Sequence, residues 1–111
     1  MIFPNLILEN IVQENDKTRL DATKSFISKD EAAVTLVEIE PYTGAGYIDV
    51  TGTSSKDWYL DWSYPTDGNK TVTVRITTDG GPVSSSKTIW IIDSVDDNLF
   101  SYDQDLTAIE D

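Results

Sequence analysis

The chain has 111 residues, 39% of them hydrophobic, a formal charge of −12 at pH 7, and neither cysteine nor histidine. This length accommodates one domain with its own buried core, and the hydrophobic content is too high for a disordered chain despite the charge. The missing residue types exclude disulfides, thiolate metal sites, and the catalytic and zinc sites that require histidine.

We predict neither a signal peptide nor a membrane span from the amino-terminal residues. Residues 1–4 lack a basic segment and a long apolar run, and no stretch of the sequence is apolar enough to cross a membrane. We therefore expect synthesis in the cytosol without membrane insertion, and residence there or in an assembly built there.

Short apolar and alternating segments predict seven strands. In chain order they cover residues 6–12, 17–22, 33–40, 47–51, 58–64, 70–78 and 84–92. Residues 24–31 are predicted as a connection in which Phe26 and Ile27 reach into the core, and residues 79–82 as a tight turn. Alternation within the strands places one set of side chains inwards: Thr18, Leu20, Ala22, Val37, Ile39, Val72, Val74, Ile76, Ile89 and Ile91.

Residues 58–81 give the clearest local pattern. An aromatic strand is followed by a turn at 65–69, and then by a strand that alternates Thr or Arg with Val or Ile. This order predicts an antiparallel hairpin. Trp58, Trp62 and Tyr64 share one face of the aromatic strand and are predicted as core.

The strands and the turns between them favour an all-β protein, an antiparallel β-sandwich of about seven strands. The predicted sandwich covers residues 1–92. Residues 93–111 are predicted as an acidic linker or the start of a following helical domain, because residues 101–104 have the spacing of a capping box and Leu106 and Ile109 lie three apart. A frayed acidic tail is the alternative.

The acidic residues are concentrated in this last segment. Residues 93–111 contain seven acidic residues and no basic one, so the first 92 residues carry a formal charge of −5. Because nucleic-acid affinity depends on lysine and arginine displacing counterions from phosphate, we expect no nucleic-acid partner.

Two segments resemble the polycystic-kidney-disease (PKD) repeat, an immunoglobulin-like sandwich. Residues 12–25 are similar to the early strand of that family, and residues 64–81 to the later one, in which an aromatic residue, a turn with glycine, an alternating Thr/Val strand and a glycine turn follow in order. With 84–91 as the final strand, the resemblance spans residues 6–92. The family's Trp-Asp-Phe-Gly-Asp-Gly signature is absent and residues 37–44 occupy its place, so the chain resembles a divergent PKD-like or generic immunoglobulin-like domain.

Such domains serve as spacers and adhesion modules, and similar domains are appended to structural proteins of tailed bacteriophages. The resemblance therefore implies a non-enzymatic structural or interaction domain, the N-terminal module of a phage virion protein (head, neck or tail) that acts as a spacer, decoration or docking element. It implies as partners other virion proteins or a cell-surface ligand. The implied location is the virion, assembled in the host cytoplasm, with the cytoplasm as the alternative. The rival interpretation is a carbohydrate-binding module that uses surface aromatic residues.

Two aromatic residues are the candidate contacts to a partner or a glycan. Tyr59 and Trp90 each lie on the face of their strand opposite the predicted core residues, and the glycan-binding interpretation adds Trp62. Unpaired sheet edges are a further candidate for partner binding.

No catalytic, cofactor-binding or metal-binding residue is predicted. The outward carboxylates are interpreted as isolated surface charges and not as an acid–base pair: Glu38, Glu40, Asp49 and Asp61. Oxygen ligands of the type that calcium prefers occur at Asp93, Asp96, Asp97 and Asn98. Their spacing lacks the order of a calcium-binding helix-loop-helix motif, so a solvated acidic linker is the favoured interpretation.

Overall fold

The computed structural model describes residues 1–30 and 33–93. Within them the chain forms nine strands and one turn of 3-10 helix at Ser55–Asp57. The strands are β1 (Ile2–Phe3), β2 (Ile11–Gln13), β3 (Lys17–Asp21), β4 (Phe26–Ile27), β5 (Val34–Glu40), β6 (Ile48–Asp49), β7 (Tyr59–Ser63), β8 (Gly68–Thr78) and β9 (Gly81–Ile92). Apart from Asp93, the segment predicted as a linker, a tail or the start of a helical domain lies outside the described residues.

The strands form one large sheet and two small ones. The large sheet has five strands in the order β2-β9-β8-β5-β6, all antiparallel except β2 and β9, which run parallel. β3 pairs with β7 and β1 pairs with β4, both antiparallel, and an isolated bridge joins Ile7 to Asp21 at the end of β3. The predicted all-β sandwich is confirmed, with one parallel pair that the alternation did not reveal.

The core lies between the large sheet and the β3–β7 pair. All the side chains predicted to point inwards are buried: Thr18, Leu20, Ala22, Val37, Ile39, Val72, Val74, Ile76, Ile89 and Ile91. Each buried aliphatic side chain contributes about 1.5–3 kcal/mol relative to an exposed one. Trp58 and Tyr64 are also buried as predicted, whereas Trp62 is half-buried and packs against the margin of the core.

The predicted hairpin between the aromatic strand and the strand after it is wrong. β7 pairs with β3, and β8 pairs with β5 and β9, so the two strands belong to different sheets. Tyr64 is buried where the chain crosses from one sheet to the other, and its hydroxyl donates a hydrogen bond of 2.6 Å to the carbonyl oxygen of Pro41. Alternation cannot reveal this crossing, because a half-buried strand alternates in the same way whichever sheet it joins.

The hairpin in this region lies one strand later, between β8 and β9. Thr78 pairs with Gly81 across Asp79 and Gly80, so the tight turn predicted at 79–82 is present. Gly81 has a φ of 106°, a conformation that glycine adopts without strain. The ladder continues to the pair of Gly68 and Ile91, and it places the outward residues of the two strands side by side.

The strand predicted at 6–12 is divided between two sheets. The backbone N–H of Ile7 donates to the carbonyl oxygen of Asp21 over 2.8 Å, whereas Ile11 lies beside Trp90 on β9. An apolar run without alternation carries no signal of where a chain changes sheets, so the change could not be located from the sequence.

Two further expectations differ from the structure. Phe26 does not reach the core, because on β4 it lies opposite Phe3 and is 55% exposed, while Ile27 packs against the core. The strand predicted at 47–51 shortens to β6. The Asp49 carboxylate accepts hydrogen bonds from the N–H and the hydroxyl of Thr51, and this local turn competes with further pairing.

Candidate functional site

The outward face of the large sheet carries an exposed aromatic side chain. Trp90 lies between Ile11 on β2 and Asn69 on β8, and the next pair on the outward face of the β8–β9 ladder is Thr71 and Thr88. Trp90 points outwards because its neighbours on β9, Ile89 and Ile91, are buried in the core. We call the five outward residues the Trp90 surface: Ile11, Asn69, Thr71, Thr88 and Trp90.

The Trp90 surface combines an apolar strip with neutral hydrogen-bonding groups. Trp90 is 53% exposed and Ile11 is 54% exposed. The amide of Asn69 and the hydroxyls of Thr71 and Thr88 are exposed beside them. None of these five residues is charged, although the chain has a formal charge of −12. Such a surface suits contacts with a neutral partner, because no charge has to be desolvated when it is covered.

The carboxylates singled out in the sequence are held in separate interactions. Glu38 pairs with Arg75 over 3.0 Å, and Arg75 also stacks on the ring of Tyr47 at 3.8 Å. Glu40 accepts a hydrogen bond from the N–H of Gly46, and Asp49 accepts two from Thr51.

The pKa values of the exposed aspartates shift in the direction opposite to that of a general acid. The hydroxyl and the N–H of Thr51 lower the pKa of Asp49, and the hydrogen bond from Arg19 lowers the pKa of Asp61. A general acid at neutral pH needs a raised pKa. Neither Asp49 nor Asp61 therefore has the raised pKa that a general acid needs.

Tyr59 lies on the outward face of the β3–β7 pair. The Arg19 guanidinium lies 3.9 Å from the centre of its ring and also binds the Asp61 carboxylate through two hydrogen bonds of 2.9 and 3.3 Å. One face of the Tyr59 ring is therefore covered by Arg19. Beside the ring is an open depression of about 390 Å³, lined by Arg19, Asp21, Thr23, Lys24, Ser55, Lys56 and Tyr59.

The structure does not bring the two candidate contacts together. Tyr59 is on the outer face of one sheet and Trp90 is on the outer face of the sheet packed against it. Trp62 belongs to neither surface, because it packs against the core and its indole nitrogen is buried without a partner among the described residues. Three aromatic residues were named for glycan contact. Arg19 covers one face of Tyr59 and Trp62 packs against the core, whereas the ring of Trp90 is exposed.

The sheet edges can now be assigned within the described strands. β2 and β6 are the edges of the large sheet, and β7 pairs only with β3. β2 and β6 have three and two residues, whereas β7 has five. Short edge strands offer few free backbone groups to an incoming strand. Of these three strands β7 is the longest, so it offers the most such groups.

Two structural findings bear on cofactors and membranes. Across residues 1–30 and 33–93, no group of three or more acidic side chains is arranged to hold a metal ion. Asp96, Asp97 and Asn98, whose oxygen atoms are of the type that calcium prefers, lie outside these residues. In the described part of the chain, no helix has the length and apolar character needed to span a bilayer.

Comparison with known proteins identifies the fold. No protein-family model and no curated protein sequence matches the chain. Among solved structures, the PKD1 domain of Vibrio anguillarum Epp is similar with a TM-score of 0.57 and 15% identity, over 81% of this chain and 92% of that one. The PKD domain from human VPS10 domain-containing receptor SorCS2 has a TM-score of 0.60 and 10% identity, over 85% and 79% of the two chains.

A third solved structure contains carbohydrate-binding modules from the beta-sandwich super family, described for their promiscuous specificity. It is similar with a TM-score of 0.62 and 14% identity over 83% of this chain. The match covers 35% of that longer chain. These likenesses show that the chain has an all-β, immunoglobulin-like and PKD-like sandwich fold, as predicted, and that its structural neighbours are PKD domains and carbohydrate-binding modules.

The sequence predicted part of the Trp90 surface and part of the surface around Tyr59. Alternation placed Trp90 and Tyr59 on outward faces, but it gave no signal for Ile11, which reaches Trp90 through the parallel pairing of β2 and β9. It also missed the depression beside Tyr59, because Lys24 and Lys56 are 32 residues apart in the chain and converge only through the pairing of β3 and β7.

Proposed function

We propose that the chain is a non-enzymatic interaction module that binds its partner through the Trp90 surface. The observation that carries the proposal is the exposure of Trp90 beside the equally exposed Ile11. A tryptophan buries a large area when a partner covers it, and tryptophans contribute disproportionately to the binding energy of protein interfaces.

The proposed setting is the virion of a tailed bacteriophage. There the domain would be the N-terminal module of a head, neck or tail protein and would act as a spacer, decoration or docking element. Its partners would be other virion proteins or a cell-surface ligand, and assembly would take place in the host cytoplasm, with a cytoplasmic protein as the alternative. The resemblance of residues 6–92 to PKD-like domains supports this setting.

The genes beside the one that encodes this chain test the setting. We expect genes for capsid, portal or tail proteins, and detection of the chain by mass spectrometry in purified phage particles. A neighbouring glycosidase or surface-anchor gene, without phage genes, would contradict the proposal.

Trp90→Ala tests the binding surface in the same particles. We expect the variant to be incorporated at least about tenfold less than the wild type, since an interface tryptophan of this kind contributes about 2 kcal/mol or more. Phe26→Ala is the matched control, because Phe26 is 55% exposed and lies on β4, outside the Trp90 surface. Incorporation of Trp90→Ala at the wild-type level would show that the surface is not the contact.

A carbohydrate-binding module is the second candidate function. It is favoured by the neutral amide and hydroxyl groups beside the Trp90 ring, because a flat aromatic ring packs against the C–H face of a sugar while neighbouring polar groups bind its hydroxyls. The similarity in fold to carbohydrate-binding modules is consistent with this candidate.

Tryptophan fluorescence during titration with a panel of neutral glycans tests the second candidate. We expect a saturable spectral shift from the exposed Trp90, which disappears in Trp90→Phe while the emission of Trp58 and Trp62 remains. Tyr59→Ala is expected to leave the shift intact, since Tyr59 lies on the other side of the sandwich. A flat titration across the panel would exclude a neutral-glycan site at Trp90.

A further inference from the structure

The depression beside Tyr59 is built from three separate parts of the chain. Arg19 and Asp21 come from β3, Lys24 follows it, Lys56 lies on the 3-10 turn, and Tyr59 begins β7. We call this cavity of about 390 Å³ the Arg19 depression. Its size falls within the range typical of small-molecule sites, and its lining is mainly polar.

Basic residues converge at the Arg19 depression although the chain is acidic. Arg19, Lys24 and Lys56 are three of the eight basic residues of the sequence. Arg19 is held in place by Asp61 and by the ring of Tyr59. Both lysines are exposed, and neither forms an ion pair within 4 Å among the described residues. Their ammonium groups retain hydrogen-bond donors for an incoming anion.

The acidic residues near the depression accept hydrogen bonds from neighbouring residues in the chain. Asp21 accepts hydrogen bonds from the N–H and the hydroxyl of Thr23, at 2.7 and 2.6 Å. Asp57 accepts three, from the N–H and hydroxyl of Thr53 and the N–H of Ser54. These local bonds use carboxylate lone pairs, and neither lysine lies within ion-pair distance of a described carboxylate, so an anionic ligand can approach the two ammonium groups.

The remaining lining groups suit a sugar. Ser55 supplies a hydroxyl, and Tyr59 supplies a ring held rigid by Arg19. Thr23 binds Oδ1 of Asp21, so Oδ2 of the same carboxylate can accept from a ligand hydroxyl. The negative charge of the whole domain repels polyanions. A ligand with one carboxylate and several hydroxyls therefore fits better than a nucleic acid or a heavily sulfated polymer. We propose that the Arg19 depression binds a carboxylate-bearing sugar of the uronic acid class.

Nitrogen-15 NMR of the full chain tests this proposal, with monomeric galacturonic acid, which carries one carboxylate, as the probe and galactose as the neutral counterpart. We expect saturable shifts of the amide signals of Lys24, Ser55, Lys56 and Tyr59 with the acidic probe only. The affinity is expected to fall with added salt, because the ion pairs are exposed. Absence of saturable shifts, or equal binding of the neutral counterpart, would overturn the proposal.

Two double variants separate a built site from general charge attraction. Lys24→Gln with Lys56→Gln is expected to weaken binding of the acidic probe at least about tenfold. Lys29→Gln with Lys87→Gln removes the same charge from exposed positions outside the depression and is expected to leave the affinity unchanged. An equal loss in both pairs would overturn the proposal. Trp90→Ala is expected to bind normally, which keeps this test independent of the Trp90 surface.

Discussion

Tyr64 connects distant parts of the chain through a single side chain. Its ring is buried at the crossing from β7 to β8, and its hydroxyl binds the carbonyl oxygen of Pro41, which directly follows β5. The sequence predicted the burial of Tyr64 but not this bond, because no local pattern indicates which carbonyl a buried hydroxyl will reach.

Tyr64→Phe is expected to lower the free energy of unfolding by about 1–2 kcal/mol, because the ring remains while the buried Pro41 carbonyl loses its donor. Urea unfolding followed by tryptophan fluorescence measures the change. Tyr42→Phe is the control, since Tyr42 is 40% exposed. Unchanged stability of Tyr64→Phe would show that water replaces the lost donor.

The stability of the fold is also expected to depend on pH at the alkaline end. Burial raises the pKa of Tyr64 from 10.0 to about 12. Tyr64 in the unfolded chain therefore ionises first, so its contribution is complete below pH 10 and is lost as the pH rises through about 12. We expect urea midpoints to decline over this interval, and to decline less in Tyr64→Phe. Parallel declines in the two proteins would contradict this assignment.

At the scale of strands, β2 and β9 show how one ladder serves both the core and the surface. Val12 and Ile91 pair on the buried side, and Ile11 and Trp90 pair on the exposed side. The sequence predicts the two faces of β9, because its alternation is local. It does not predict the partner strand, because parallel pairing joins residues almost 80 positions apart and leaves no periodic signal.

Ile91→Ala and Ile11→Ala form a matched pair for this ladder. Ile91 is fully buried, so its truncation leaves a cavity and is expected to cost about 2–5 kcal/mol. Ile11 is 54% exposed, and its truncation is expected to cost less than about 1 kcal/mol. Thermal or urea unfolding measures both. Similar losses in the two variants would contradict the assignment of inner and outer faces.

At the scale of the whole molecule, we expect the acidic segment after β9 to be separable from the core. All the described strands and the buried cluster lie within residues 1–93, and residues 94–111 contain six acidic residues and no basic one.

Most of the architecture was predictable because buried side chains alternate along each strand. The assignment of strands to sheets was not, because it depends on contacts between distant residues.

Deletion of residues 94–111 is expected to leave a cooperative unfolding transition with a midpoint equal to or above that of the full chain at low salt. The reason is the removal of like charges from an acidic protein. The difference is expected to shrink in about 1 M salt, where charges are screened within about 3 Å. Circular dichroism during heating measures both midpoints. A lower midpoint or a broadened transition after deletion would show that the segment supports the core.

Because Trp90 and Tyr59 lie on opposite sides of the sandwich, the thickness of the sandwich sets the distance between partners bound at the two positions. Packed sheets lie about 10 Å apart, and outward side chains add to that thickness. Two bodies held at the Trp90 surface and the Arg19 depression would therefore face each other across the full width of the domain without touching. If both surfaces bind as proposed, the module would fix the gap between its neighbours as well as join them, and the width of that gap would be set by the core residues and not by either contact.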